Sequence, residues 1–257
     1  MAAPVDAAPR GVPGTGHPTD RRLGWVGLGV AVGSFLASLI VAPTVGAAYA
    51  AARGLTAEEA TKDLGYSVVT ALGLWVGFLV LPVLWSRGHG GPRRLLGLSA
   101  RWVDLPLGLA VGLGSSGAAT GLSTLVLTKR QTDDLEIKAR EIIDRAHGGP
   151  AVALLVLVLC VGTPIAEEVF FRGLLFRSLH RLAGVVVAAL LGGLVFGLVH
   201  YDPSPVDAVV VVVQLALLGL FGLALCILAH RTGRLGAGFV AHAAFNAVTV
   251  VTLLAQR

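Results

Sequence analysis

Two adjacent carboxylates inside an apolar run are the feature of this sequence with the clearest chemical potential. The stretch AVALLVLVLCVGTPIAEEVFFRGLLF (151–176) carries charge only at Glu167, Glu168 and Arg172. One ionised side chain at mid-bilayer costs about 2.5–3.5 kcal/mol on insertion scales, so three together need a compensating reason. Glu168 and Arg172 are four residues apart, share a helical face and can pair, offsetting each other's desolvation. Glu167 points about 100° away and is left without that partner. A carboxylate held in a dry site, near a cation but not paired to it, is suited to general-base work. Pro164, just upstream, frees a backbone carbonyl one turn earlier and is expected to widen the helix, leaving room for water beside Glu167. The plain alternative is an ion pair that only orients the helix.

Two further groups stand on later apolar runs. GGLVFGLVHYDPSP (192–205) ends one of them with Phe196 and His200 a turn apart on one face. A lone histidine at a helix end is commonly an interfacial residue, so His200 needs company before it counts as chemistry. GFVAHAAFNAV (238–248) places His242 and Asn246 at i and i+4, projecting toward one point. Their imidazole and amide hydrogens could hold an oxyanion, or they could act as packing glue between helices. At about 1.5 Å per residue, Glu168 lies roughly 20 Å from its basic flank, His200 about 24 Å along its run, and His242 with Asn246 roughly 10–17 Å. All three groups can therefore reach a shared middle layer.

The elements that must position these residues are transmembrane helices. Of 257 residues, 55% are hydrophobic and 14% charged, and the mean hydropathy is +0.80; a soluble domain has about a quarter of its residues charged. Apolar runs of roughly 20 residues recur, each long enough for a bilayer core of about 30 Å. The expected fold is all-α, a polytopic bundle of about seven spans near 24–50, 65–86, 104–128, 152–178, 184–202, 206–229 and 235–255. Residues 1–22 read as a disordered Pro-, Gly- and Ala-rich tail without a signal-peptide core. Residues 23–149 then form the N-terminal helices and a connector, and 150–257 the core that carries the polar groups.

Charge sorts between the spans. Arg10, Arg21 and Arg22, then Arg87, Arg93, Arg94 and Arg101, then Arg177 and Arg181, then Arg231 and Arg234 occupy alternate connections, whereas the others are acidic or balanced. Lys and Arg excess marks the cytoplasmic side, which puts the N-terminus inside. The sequence pI of 9.8 is explained by this topology signal, and no nucleic-acid partner is expected. Residues 132–146, with Thr132 as N-cap and Leu135, Ala139 and Ile142 on one stripe, suit a short amphipathic helix at the bilayer surface. Residues 91–102 join a basic face to Trp102 at the opposite interface. The pairs Gly108/Gly112, Gly117/Gly121 and Gly193/Gly197 are spaced for close helix packing. Thr56 with Glu59 has capping-box spacing, which accounts for the Glu58/Glu59 pair. His180 and His230 flank arginines at span ends, and Cys160 and Cys226 read as small core side chains.

Taken together, EEVFFR, FGLVH and HAAFN resemble the three motifs of the CPBP (Abi) family of intramembrane proteases, which includes the Rce1-type CAAX prenyl endopeptidases. The pattern EExxxR, FxxxH, HxxxN is matched in order by Glu167, Glu168 and Arg172, by Phe196 and His200, and by His242 and Asn246. The resemblance covers about residues 150–250; the earlier spans match only in being hydrophobic. It implies hydrolysis of a peptide bond in a membrane-associated peptide or protein. Glu167 and His200 would activate water, His242 and Asn246 would hold the oxyanion, and Glu168 with Arg172 would be structural, with Phe196 in support. Glu167, His200 and His242 could ligate zinc, as the family's metalloprotease label suggests, or act as a metal-free glutamate and histidine system. The composition, rich in Ala, Gly, Val, Leu and Arg, suggests a high-GC bacterium and hence a multi-pass plasma-membrane protein, where a prenylated substrate is less expected. A non-catalytic immunity or scaffold protein keeping the family fold is the alternative. A proton-relay transporter is a third reading, disfavoured because no internal repeat is visible.

Overall fold

The computed structural model describes residues 20–201 and 207–257, so residues 1–19 of the expected tail and Asp202 lie outside the described part. Among the described residues every regular element is helical. Six helices are long and apolar enough to span a bilayer: Arg21–Arg53, Leu64–Arg87, Asp104–Val126, Gly149–Leu198, Ala208–Thr232 and Gly236–Ala255. The expected number was about seven, and the difference lies in the fourth. That helix runs for 50 residues, about 75 Å at 1.5 Å per residue, more than twice a bilayer core.

The fourth helix does not run straight. Gly184 has φ 78° and ψ 172°, outside helical geometry. Phe171 and Phe196 meet edge to face with ring centroids 5.1 Å apart, although a straight helix would separate them by about 37 Å. The chain therefore doubles back at Gly184, and the segments expected as spans four and five are its two arms. The returning arm, 185–198, is about 21 Å long, short of a complete crossing. We label the elements α1 (Arg21–Arg53), α2 (Ala57–Lys62), α3 (Leu64–Arg87), α4 (Asp104–Val126), α5 (Lys129–Asp144), α6 (149–183), α7 (185–198), α8 (Ala208–Thr232) and α9 (Gly236–Ala255).

Small residues set the close contacts. Gly108 and Gly112 of α4 lie against the backbone of α9 at Ala237 and Ala241, and Gly193 and Gly197 of α7 lie against α8 at Gly219 and Leu215. Both pairs behave as their spacing predicts. Gly117 and Gly121 do not, because a side chain there would meet nothing within 4 Å. Aromatic rings fill the centre, with Phe78 stacked on Phe170 at 4.3 Å and Phe221 on Phe245 at 4.2 Å.

The two ends of the bundle differ in charge. At one end the chain segments around Arg22, Arg101, Arg181 and Arg234 meet, and among the described residues ten arginines there face two aspartates. There Arg234 grips Asp104 with Nε to Oδ2 at 2.8 Å and Nη2 to Oδ1 at 2.6 Å. Leu235 N–H donates to Gly97 O at 2.9 Å and Gly236 N–H to Ser99 O at 3.1 Å. This strap holds the start of α9, and hence the height of His242.

At the other end α5 lies across the bundle. Its N-cap is Thr128, in a capping box with Gln131, so the helix starts earlier than Thr132, the expected cap. The Thr128–Gln131 pair satisfies both exposed N–H groups better than an isolated Thr132 can. Gln131 Nε2 also donates to Asp207 Oδ2 at 2.8 Å. The Val209 backbone N–H, followed by Gln131, holds the Asp207 carboxyl below the usual carboxylate range. Thr56 and Glu59 form the capping box that their spacing predicts.

The fold-back yields a direct test. A Cβ on Gly184 would touch nothing within 4 Å, so its substitution carries only backbone strain, on the order of 1–3 kcal/mol. Gly184→Ala is expected to lower the thermal unfolding midpoint in detergent, whereas Gly117→Ala on an open face leaves it unchanged.

Candidate active site

The acidic pair sits where α6 is distorted. Residues Val158–Gly162 and Glu168–Phe176 are π-helical, a wider winding that recurs at functional sites. The first widened turn has a legible cause. In it each N–H reaches back five residues, as Thr163 does to Val158 O. The next donor in that register would be residue 164, which is proline and has no N–H. Leu159 O is thereby freed, and Asn246 Nδ2 donates to it at 2.8 Å. The Pro164 effect expected from sequence is present, and its freed carbonyl ties α6 to α9.

Glu168 and Arg172 are fully buried, with Arg172 Nη1 3.0 Å from Glu168 Oε1. The contact lacks hydrogen-bond alignment, since Nη1 has no hydrogen-bond partner; we read it as a charge pair. Arg172 Nη2 donates to Gly222 O at 3.1 Å, and its guanidinium lies 4.3 Å from the Phe196 ring centroid. Glu168 Oε2 lies over the first turn of α9, where a Cβ on Gly238 would come within 2.5 Å of it. Glycine at 238 lets the carboxylate approach a helix end whose dipole is positive.

The sequence spacing left Glu167 without a partner and set His242 beside Asn246. The structure places the His242 ring between the two glutamates: Nδ1 is 3.3 Å from Glu168 Oε1 and Nε2 is 3.7 Å from Glu167 Oε2. Glu168 accepts, so Nδ1 carries a hydrogen. Nε2 and Glu167 Oε2 then face each other, and their approach is favourable when one proton is shared between them. That oxygen has no hydrogen bond among the described residues, so Glu167 is adjacent to the ring without being locked to it.

His200 follows the returning arm. Its Nδ1 lies 2.7 Å from Phe196 O; a carbonyl only accepts, so Nδ1 carries the hydrogen and Nε2 is left as the free acceptor. Phe196 touches Arg172, His200 and His242, with ring separations of 4.7 Å and 5.7 Å to the two histidines. Its position before His200 had marked it as supporting, and the structure makes it the common wall of the site.

One cavity of about 280 Å³ gathers Glu167, His200, His242 and Asn246. Thr163 and Leu159 of α6 and Phe221 of α8 line it too. Sequence reasoning did not single these out, because apolar and hydroxyl residues in a span carry no signature. Ala139, Ile142 and Ile143 of α5 close it, and two of these belong to the stripe read as amphipathic. His180 and His230 lie elsewhere, 5.3 Å apart as rings at the arginine-rich end. Cys160 and Cys226 are buried and unbridged.

Among the described residues no three His, Cys, Asp or Glu side chains converge closely enough to hold a metal ion. Both His242 nitrogens face carboxylates, and His200 Nδ1 is committed to Phe196 O. The residues do not fit a three-ligand zinc site in this arrangement.

A polytopic helical membrane protein with two buried glutamates, a buried histidine and a half-buried one at or beside one cavity is the class these features define. Residues 149–248 match the family described as Type II CAAX prenyl endopeptidase Rce1-like. The chain is also 26% identical over 200 residues, covering 73% of this chain and 75% of the other, to the Bacillus subtilis (strain 168) protein named "Putative membrane peptidase YdiL". These matches fall on the stretch that carries the three motifs, so the C-terminal part of this chain is similar to CAAX-type proteases. No solved structure matches the chain.

A double-mutant cycle tests the link between Pro164 and Asn246. Asn246→Ala leaves Leu159 O unsatisfied, which costs about 1–3 kcal/mol. In a Pro164→Ala background the restored N–H can satisfy that carbonyl, so the cost of Asn246→Ala is expected to shrink. Denaturant titration of the four proteins in mixed micelles measures the coupling, and additive effects would refute the link.

Proposed function

We propose that this protein is an intramembrane endopeptidase in which Glu167 activates water within the cavity. The observation that carries the reading is the division between the two glutamates. Glu168 Oε1 meets both Arg172 and His242, whereas Glu167 lines the cavity and meets only His242 Nε2, at 3.7 Å; the Oε2 atom of each carboxylate has no hydrogen bond among the described residues. A structural ion pair needs only one of them.

Glu167 accepts one proton of the water as its oxygen bonds to the scissile carbonyl carbon. His200 Nε2 accepts a hydrogen bond from the same water, fixing its lone pair on the carbon. The carbonyl π bond becomes the oxyanion. His242, its Nδ1–H backed by the Glu168 carboxylate, presents Nε2–H when protonated, as carboxylates orient imidazoles in hydrolytic triads. Asn246 has one amide hydrogen committed to Leu159 O, so it can offer its second. These are the two oxyanion donors. When the C–N bond breaks, the proton held by Glu167 passes to the departing nitrogen, leaving a carboxylic acid and an amine. The Rce1-like match and the peptidase name of the Bacillus protein support hydrolysis of a peptide bond in a membrane-associated substrate. Neither selects a prenylated tail over another segment.

Glu167→Gln keeps the shape and removes the base. It is expected to lower turnover of a quenched fluorescent membrane peptide in proteoliposomes by about 10²–10⁴, the usual contribution of a positioned base. A variant with wild-type turnover would eliminate the proposal in favour of a non-catalytic scaffold.

A further inference from the structure

A second cavity, of about 320 Å³, adjoins the first. Ala139, Leu218, Phe245 and Thr249 line both, so the two form one cleft bounded by α4, α5, α8 and α9. Each helix turns a single stripe to it. Along α4 the stripe is Ser116, Thr120 and Ser123, at helical spacing; along α9 it is Phe245, Thr249 and Thr252. Gln214 of α8 and Thr132 and Glu136 of α5 add further polar groups to a lining that is otherwise apolar.

Hydroxyls and amides along an aisle between transmembrane helices need hydrogen-bond partners. Packing can use them when they bond across helices, as Ser38 Oγ does to Leu74 O at 2.9 Å, and a helix can satisfy them itself, as Ser123 Oγ does with Ala119 O at 2.7 Å and Thr132 Oγ1 with Thr128 O at 3.1 Å. The Ser116 hydroxyl does neither: it is 8% exposed, lines the cleft and has no hydrogen-bond partner among the described residues. A buried polar group left unpaired costs about 1–3 kcal/mol, so a bound partner is favoured. The occupant must offer polar groups along its length while lying partly in hydrocarbon. An extended polypeptide does so, because each unpaired N–H and C=O costs several kcal/mol there. A prenyl or acyl chain needs no such partners.

The direction of the cleft follows from the bundle. Thr252 is toward the C-terminal end of α9 and Gln214 toward the N-terminal end of α8, both far from the Asp104–Arg234 strap and near α5. Among the described residues that end has seven Lys and Arg side chains and nine carboxylates, against ten arginines and two aspartates at the other. The arginine-rich end is cytoplasmic by the distribution of Lys and Arg.

The geometry points to this cleft as the path by which an unwound segment of a polypeptide reaches Glu167 from the extracytoplasmic side, beneath α5. The row of polar groups pairs with the segment's backbone, and the apolar walls at Phe221 and Ile143 take the side chains at the reacting bond. The inference rests on the peptidase reading for its purpose but not for its test.

Thr252→Cys, and separately Gln214→Cys should the first misfold, is treated with a membrane-impermeant maleimide in right-side-out and inside-out vesicles. The parent chain, whose two cysteines are buried, gives the background. The expected result is labelling in right-side-out vesicles, lost when an unfolded peptide rich in Leu and Ala is added and unaffected by farnesol. Labelling only in inside-out vesicles, in neither, or without protection by the peptide overturns the proposal. Equal protection by farnesol reassigns the cleft to a lipid chain and overturns it too. A chain that is protected but never cleaves would remove the peptidase reading and leave the cleft. One that cleaves without protection would remove only the cleft.

Discussion

Everything in the centre of this protein depends on keeping one ion pair charged where there is no water. Glu168 and Arg172 are both at zero exposure, and a buried charge left alone would cost several kcal/mol. Their neighbours are arranged around that constraint. Phe171 and Phe196 flank the guanidinium, Gly222 offers a carbonyl, and Gly238 has no side chain so that α9 can bring its positive end close. His242 reaches Glu168 from the same helix. The pair therefore determines how α6, α7, α8 and α9 meet, and the cavity forms where they converge.

The same constraint separates the roles of two adjacent, identical side chains. Charge compensation is concentrated on Glu168, and the imidazole that completes it turns its other nitrogen toward Glu167. His242 is thus part of the structural network through one nitrogen and part of the chemistry through the other. The proline at 164 adds a second device: by withholding an N–H it widens α6 beside Glu167 and makes a carbonyl available to Asn246. Strain and site lie within two turns of one helix, as is common where helical hydrogen bonding is interrupted for function.

Much of this was legible in the sequence because ionisable residues in a span are costly and so carry information. Glu167, Glu168 and Arg172 announced themselves, the i, i+4 spacing paired the latter two, and the amphipathic stripe of 132–146 was visible in its period. Less was legible where geometry departs from an ideal helix. The reversal between 152–178 and 184–202 was expected, but that Gly184 alone makes it, with no loop, was not, because it reads in sequence as one glycine among 34 and its φ is invisible there. The position of His242 between the glutamates could not be read from spacing within α9, because it depends on how closely Gly238 lets α9 approach α6. Thr163, Phe221 and the hydroxyls of α4 were missed because uncharged residues in a span have no anomalous cost. Only the Ser116 oxygen, buried without a partner, marks its stripe as more than packing.

The central claim is that neighbouring glutamates do different work, one holding the bundle and one free for chemistry. Thermal unfolding of Glu168→Gln and Glu167→Gln, compared side by side in the same detergent, tests it without a substrate. Removing one partner of a buried pair costs about 3–5 kcal/mol, so Glu168→Gln should unfold well below the wild type while Glu167→Gln unfolds at or near it. Equal losses, or a larger loss for Glu167→Gln, would contradict the division of roles.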